Sequence, residues 1–264
     1  MLTFVVTKNQ IMVNTKEVFI GKYKIGGNNP ILIQSMTNTN TLDIESTLNQ
    51  LISLANSGCE IIRVTVPGHS EVEALKEIYH RFRNLGFTEP IVADVHFNPK
   101  VAEECAKFVE KVRINPGNYV DKKQFKIKKY SNQEYQEELD KINLKLKPLI
   151  EICKKHHTAI RIGVNHGSLS DRIVNKYGNT ALGMAMSAYE FAKIFHQEGF
   201  NNIVFSLKSS DVKTMIYATR LFVKMMNDNF LNFPLHLGVT EAGEGEDGRI
   251  KSVIGIGTLL LNDI

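Results

Sequence analysis

Three arginines sit in the middle of segments that otherwise read as buried parallel strands, and few folds can hold such a chain. The segments are Ile61-Ile62-Arg63-Val64-Thr65-Val66, Lys111-Val112-Arg113-Ile114-Asn115 and Ala159-Ile160-Arg161-Ile162-Gly163-Val164. Short, continuous apolar and β-branched runs of this kind belong to sheets covered on both faces. A guanidinium cannot be deprotonated and is almost never fully buried without a partner. The arginines therefore require anions. Carboxylates inside the fold supply them, or a ligand with several negative charges does.

Strand parity narrows the choice. Side chains two apart share a face, so Arg63 faces with Thr65, Arg113 with Asn115, and Arg161 with Asn165. Each arginine is thus followed, on its own face, by a hydrogen-bonding residue at the C-terminal end of its strand. Parallel α/β proteins bind their ligands at that end. The pattern predicts a pocket for a multiply charged anion, built from several strand ends.

Read in order, the chain alternates strands with helices. Residues 1 to 30 predict a short hairpin capping one end of the domain. Strands are expected at Ile31–Met36, Glu60–Val66, Ile91–Val95, Lys111–Ile114, Ala159–Val164, Asn202–Ser206 and Leu235–Val239. Between them the 3.6-residue period and the cap signals predict helices. Ser70-Glu71-Val72-Glu73 and Ser131-Asn132-Gln133-Glu134 read as capping boxes, and Asn98-Pro99 as an N-cap followed by proline. The helix opened at Asn98 is expected over Lys100–Val109, and a last helix over Arg249–Leu261. Lysines crowd the stretch from Tyr119 to Lys147, which reads as a solvated loop and helix face. This alternation predicts an α/β fold, a TIM (β/α)8-type barrel forming a single domain over residues 1–264. Only seven core strands are present in the pattern. Either the hairpin closes the sheet or the chain is a fragment truncated before strand eight, which the closing residues favour.

Composition excludes several classes. A net charge of +4 suits an anionic small molecule but is too weak for a nucleic-acid partner without a clustered basic face. No run approaches the ~20 apolar residues of a membrane span, and the first residues lack the pattern of a signal peptide. Three widely spaced cysteines, Cys59, Cys105 and Cys153, argue against disulfides and for a cytoplasmic protein, and no CxxC offers a metal site.

The polar residues expected at the strand ends are Thr37, Arg63, Asp94, His96, Arg113, Asn115, Arg161, Asn165, His166, Ser206, Lys208, His236 and Glu241. Each alone could be structural: a lone histidine commonly serves as a hydrogen-bonded barrel residue, and Asp94 could simply neutralise an arginine. Jointly, three arginines and Lys208 exceed the carboxylates on the same strands, which points to a diphosphate or two phosphates. Glu241, at the end of the seventh strand, is the candidate acid–base residue. The acidic loop from Glu241 to Gly248 does not have EF-hand spacing.

Five blocks in order resemble one family. They are Gln34-Ser35-Met36-Thr37-Asn38-Thr39, Val92-Ala93-Asp94-Val95-His96-Phe97, Val112-Arg113-Ile114-Asn115-Pro116-Gly117-Asn118, the run from Arg161 to Ser170, and His236-Leu237-Gly238-Val239-Thr240-Glu241-Ala242-Gly243. Together they are similar to 4-hydroxy-3-methylbut-2-enyl diphosphate synthase, in its longer plant and Bacteroidetes-like form. The resemblance implies a bacterial, isoprenoid-pathway oxidoreductase that reductively opens methylerythritol cyclodiphosphate. It implies a 4Fe-4S cluster fed by ferredoxin or flavodoxin, and it also admits a homodimer. Carried over, Arg63, Arg113, Arg161 and Lys208 would clamp the diphosphate, while Asn115, Asn165, His96, Ser206 and His236 would orient it. Asp94 and Glu241 would be the catalytic acid–base pair. The family's cluster ligands lie in a C-terminal domain absent from this sequence, so the chain alone is expected to bind substrate without turning it over. Two other readings remain: a dihydropteroate-synthase-like transferase acting on a pterin diphosphate, and a non-catalytic anion-binding module.

Overall fold

The computed structural model describes residues 15–120 and 130–264. Its centre is a parallel sheet in sequential order, built from β3 (Gln34–Met36), β4 (Ile61–Thr65), β5 (Ile91–Asp94), β6 (Lys111–Ile114), β7 (Ala159–Asn165) and β8 (Ile203–Lys208). Sequential order in a parallel sheet means that every crossover turns the same way, which curls the sheet toward a barrel. Helices cover its outer face: α1 (Ile44–Asn56), α2 (His69–Asn84), α3 (Pro99–Cys105), α5 (Asn132–His156), α7 (Ala181–Gln197) and α8 (Val212–Asp228). Short helices α4 (Pro116–Tyr119) and α6 (Asp171–Tyr177) follow β6 and β7.

The two faces of the sheet carry different chemistry. Ile62, Val64, Val112, Ile114, Ile160 and Ile162 point outward into the main apolar core beneath the helices. The alternate positions point inward, and only the lowest of these are apolar. Ile61, Val92, Ala159 and Val204 pack there against Val18 and Ile20 of the hairpin formed by β1 (Val18–Ile20) and β2 (Tyr23–Ile25). The hairpin is a separate antiparallel pair. It therefore plugs the N-terminal end of the barrel and does not close the sheet at its seam; of the hairpin expected over residues 1 to 30, residues 1 to 14 lie outside the described residues. Above that plug the inner positions turn polar, beginning with Lys111, Arg161 and Arg63.

Local signals account for most helix starts. Asn98 accepts a hydrogen bond from the Lys100 amide with Pro99 in the first turn, and the Ser131–Glu134 capping box forms in both directions. Pro148 lies inside α5, which continues through it. Four expectations need correction. The box expected at Ser70 does not form, because α2 begins at His69, two residues earlier than a Ser70 cap would start it, behind an extended Gly68. Helix α3 stops at Cys105, well short of Val109. Strand β3 covers only Gln34–Met36, leaving Ile31 and Ile33 exposed at the sheet edge. The seventh strand contracts to a single parallel bridge between Leu235 and Phe205. Beyond that bridge the backbone at Gly238 passes over the Lys208 side chain, where a Cβ would lie 2.8 Å from Nζ. The last helical run comprises α9 (Gly245–Ser252), a π turn (Val253–Gly257) and α10 (Thr258–Leu260), packed on α8 through Leu259 and Met215. The lysines at 122, 123, 126, 128 and 129 lie outside the described residues.

The plug is expected to carry stability. Ile20 is fully buried, so Ile20→Ala should lower the unfolding free energy by about 2–5 kcal/mol. Urea denaturation followed by circular dichroism measures this, and an unchanged midpoint would mean that the hairpin does not pack as described.

Candidate functional site

A cavity of about 490 Å³ opens at the C-terminal ends of the strands. Its lining includes Gln34 and Met36 from β3, Arg63 and Thr65 from β4, and Asp94 and His96 from and after β5. Arg113 from β6, Arg161 and Asn165 from β7 and Lys208 from β8 complete the ring, with His236 and Glu241 on the segment that follows. Alternation along each strand puts these side chains inside, as parity requires.

Asp94 is the hub. Its Oδ1 accepts from Arg113 Nη1 at 2.9 Å, and its Oδ2 lies 3.5 Å from Arg63 Nε and 3.4 Å from His96 Nε2. His96 Nε2 is also 2.6 Å from Arg113 Nη1. A second Arg113 nitrogen donates to the Gly163 carbonyl at 3.0 Å, and Arg161 Nη1 donates to Ser206 Oγ at 3.1 Å. Even so, the Nε atoms of Arg113 and Arg161 are buried with no hydrogen-bond partner among the described residues. Buried donors of this kind are rare in native folds unless a ligand or water completes them.

Charge in this space is far from balanced. Burial would raise the Asp94 carboxyl, but the His96 hydrogen bond and the charges of Arg113, Arg63 and Arg161 outweigh it and hold the group far below the usual carboxylate range. Asp94 is therefore an anion that tethers cations. For Lys208, burial and then Arg161, Arg63 and Arg113 push the ammonium well below the usual lysine range. His236 is held neutral in the same way, by burial first and by Lys208 and Arg161 next. One buried carboxylate thus serves Arg63, Arg113, Arg161 and Lys208, and the remaining positive charge faces the cavity.

Nine of the eleven expected site residues line this one space: Arg63, Asp94, His96, Arg113, Arg161, Asn165, Lys208, His236 and Glu241. Two do not. Asn115 accepts from the Gly117 amide and donates to Ser168 Oγ, so it caps α4 and braces the loop after β7. Ser206 lies one layer down, against Arg161. Glu241 stands at the exposed mouth in the left-handed region, φ +52°, a conformation that costs a non-glycine residue energy and recurs at functional positions. Thr37 is buried, its amide donating to the Arg63 carbonyl. His166 turns away, its Nε2 2.9 Å from the Asn179 carbonyl.

Sequence reasoning overlooked four contributors. Gln34 and Met36 share the inner face of β3 and were findable by parity alone. Gly163 and Gly238 act by lacking side chains. A Cβ on Gly163 would lie 2.3 Å from Arg113 Nε, and one on Gly238 2.9 Å from Lys208 Cε. Both cations occupy room that a side chain would fill.

A larger cleft, about 810 Å³, lies at the opposite end between the hairpin and the strand starts. Its most enclosed carboxylate, Glu110, is engaged by Arg83 and Tyr79, and it gathers no cluster of buried charge. Among the described residues no group of three or more His, Cys, Asp or Glu side chains could hold a metal ion, and no helix is long and apolar enough to cross a membrane. The three cysteines do not fit a cluster. All are buried and free, Cys59 contacts the Ile61 carbonyl, and burial raises Cys105 to about 12 and Cys153 further.

A parallel α/β barrel with a cationic pocket at its strand ends is the class that this fold and site define. Residues 15–264 match the family model described as the GcpE TIM-barrel domain, and the chain belongs to that family. It is 53% identical over 251 residues to the 4-hydroxy-3-methylbut-2-en-1-yl diphosphate synthase (flavodoxin) of Phocaeicola vulgatus, covering 95% of this chain and 41% of the relative. The protein of the same name from Akkermansia muciniphila is 50% identical over 95% of this chain and 43% of its own length. The chain thus spans about two fifths of the length of these curated relatives. Among solved structures it resembles dihydropteroate synthase from Thermus thermophilus, with TM-score 0.53 and 13% identity over 94% of this chain and 89% of that one. Type I 3-dehydroquinate dehydratase from Clostridium difficile gives TM-score 0.54 and 10% identity, over 91% and 84%. At such identities the likeness concerns the barrel alone.

The position of Asp94 predicts a pH signature. Replacing it with asparagine leaves Arg113 and Arg63 without their anion, so Asp94→Asn should cost about 3–5 kcal/mol at pH 7. A depressed folded-state carboxyl contributes stability above its unfolded value of about 3.9, lost as pH falls below it. The gap between wild type and variant should therefore narrow below about pH 4. Denaturation series at several pH values test this, and a gap that widens in acid would contradict it.

Proposed function

We propose that this chain is the substrate-binding barrel of the enzyme that reductively opens 2-C-methyl-D-erythritol 2,4-cyclodiphosphate to 4-hydroxy-3-methylbut-2-enyl diphosphate. The observation that carries the reading is the uncompensated positive charge at the strand ends: the Arg63, Arg113 and Arg161 guanidiniums, with Lys208 beside them, around Asp94, the buried carboxylate of that cavity. A cyclic diphosphate brings two fixed negative charges to that space and acceptor oxygens to the orphaned Nε donors of Arg113 and Arg161. The names of the relatives and the family match support the same assignment.

The roles divide by geometry. Arg113, Arg161, Arg63 and Lys208 hold the two phosphate groups. Asn165, His96 and His236 orient the ligand from the cavity wall. Asn115 and Ser206 act through others, bracing the loop after β7 and the Arg161 guanidinium. Asp94, held far below the carboxylate range, is a tether for arginines and a poor proton donor. That leaves Glu241, free at the mouth, as the group that delivers a proton to the departing hydroxyl. The conversion takes up two electrons and one proton and releases water. A 4Fe-4S cluster, if held elsewhere in the whole protein and refilled by flavodoxin or ferredoxin, would supply those electrons; Cys59, Cys105 and Cys153, buried and far apart in the sequence, do not fit as its ligands. The barrel binds and orients, and the whole protein reduces. The pterin-diphosphate and non-catalytic readings share the barrel and the cationic cavity, but not the family match or the names of the relatives.

Calorimetric titration of the chain with the cyclic diphosphate tests the assignment. Saturable binding is expected, weakened by about 1.5 kcal/mol or more, roughly tenfold, in Arg113→Ala and in Arg161→Ala. A folded chain that gives no saturable heat, or affinity untouched by both substitutions, would contradict it.

A further inference from the structure

Lys111 lies one layer beneath the cavity, and neither the fold nor the proposed binding has yet given it a task. It opens β6, shares the inner face with Arg113, and is 1% exposed. Its Nζ donates to Gln34 Oε1 at 3.0 Å. That partner is uncharged, and it is itself part of the cavity wall. A buried lysine ordinarily sits with a carboxylate. Here the buried carboxylate of the site, Asp94, is already engaged by Arg113, Arg63 and His96.

The ionisable groups of the wall above Lys111 come from β4 to β8 and the segment that follows. Arg63 stands on β4, Asp94 and His96 on and after β5, Arg113 on β6, Arg161 on β7, Lys208 on β8, and His236 and Glu241 beyond it. Arg161 and Arg63 act on Lys111 most strongly. Burial first, and then these two guanidiniums, hold its ammonium well below the usual lysine range. The cations are not equivalent in their response. An arginine cannot release its proton, whereas a buried lysine readily does. With Asp94 already engaged and no ligand anion bound, the mutual repulsion of Arg63, Arg113, Arg161, Lys208 and the Lys111 beneath them therefore falls on the two lysines.

We propose that Lys111 is a proton acceptor directly beneath the binding site, behind Gln34 of its wall, which with Lys208 takes up protons from solvent as a dianion enters, so that the full positive charge under the ligand is present in the bound state only. The proposal rests on the diphosphate reading above. A cyclic diphosphate suits the test because each phosphorus carries one strongly acidic oxygen. The ligand keeps two charges at neutral and alkaline pH and exchanges no proton of its own, unlike inorganic diphosphate. Protons drawn from the buffer then belong to the protein. The sign follows. Where a lysine is neutral in the free chain and charged in the complex, the association constant falls about tenfold per pH unit for each proton taken up. At lower pH, where it is charged in both states, the slope vanishes.

Titration of the chain with methylerythritol cyclodiphosphate at pH 8, in HEPES and in Tris, reads the uptake from the dependence of the heat on buffer ionisation. About one to two protons are expected for the wild type, and about one fewer for Lys111→Met. Lys111→Arg, which keeps its charge in both states, should lose the same proton. Saturable binding without uptake, or uptake unchanged in both variants, overturns the proposal and leaves the diphosphate reading standing. No saturable heat from a folded wild-type chain overturns both. Should neither variant fold, the wild-type association constant decides: a decline of about tenfold per pH unit in the alkaline range supports uptake, and a flat profile there overturns it.

Discussion

Everything at the upper end of this barrel depends on one anion holding several cations. Asp94 engages Arg113 directly, Arg63 at longer range and His96 beside them. Without it the guanidiniums would repel one another into solvent or into the wall. With it they are held, but not neutralised, and buried donors on Arg113 and Arg161 stay open. A buried ion pair is weak evidence for stability on its own, since desolvation offsets much of its attraction. The surplus of charge is more informative. It marks a place where the described residues supply no buried compensating anion beyond Asp94.

The rest of the fold supplies the conditions for that arrangement. The hairpin packs Val18 and Ile20 against Ile61, Val92, Ala159 and Val204 at the far end of the barrel, so the layer beneath the cations is apolar and offers them no anion. Space is made from above and beside. Gly163 yields its side-chain volume to Arg113, and Gly238 yields its own to Lys208. A methyl group at either position would meet the cation at less than van der Waals contact. The loop after β7 is fixed in turn by Asn115, whose amide reaches Ser168. Outside the sheet the helices bury the opposite, apolar positions of the same strands, and this fixes the register that points the arginines inward.

Much of this was legible in the chain, and the misses have physical reasons. Strand alternation alone was enough to place Arg63, Arg113 and Arg161 on the inner face, because a strand has only two faces. It applied equally to Gln34, Met36 and Lys111, where the first two are short of charge and the third looked like the ordinary polar start of a strand. Asn115 was expected in the pocket, yet Pro116 directly after it gives the same N-cap signal that Asn98-Pro99 gives, and the side chain follows the helix. The seventh strand keeps a single bridge, and beyond it the backbone runs over Lys208, a contact between distant segments that no local pattern encodes. The approach of Gly163 to Arg113 across neighbouring strands is hidden for the same reason. Local chemistry wrote the elements, and packing across the barrel decided which side chains reach the cavity.

The most direct test of the central claim is a crystal structure of the chain with methylerythritol cyclodiphosphate bound. The account predicts both phosphate groups at the strand ends, with oxygens about 3 Å from nitrogens of Arg113, Arg161 and Lys208, and with the Nε donors of the two arginines engaged. A diphosphate seated instead in the opposite cleft, beside Lys107 and Lys154, with the strand-end cations untouched, would contradict it.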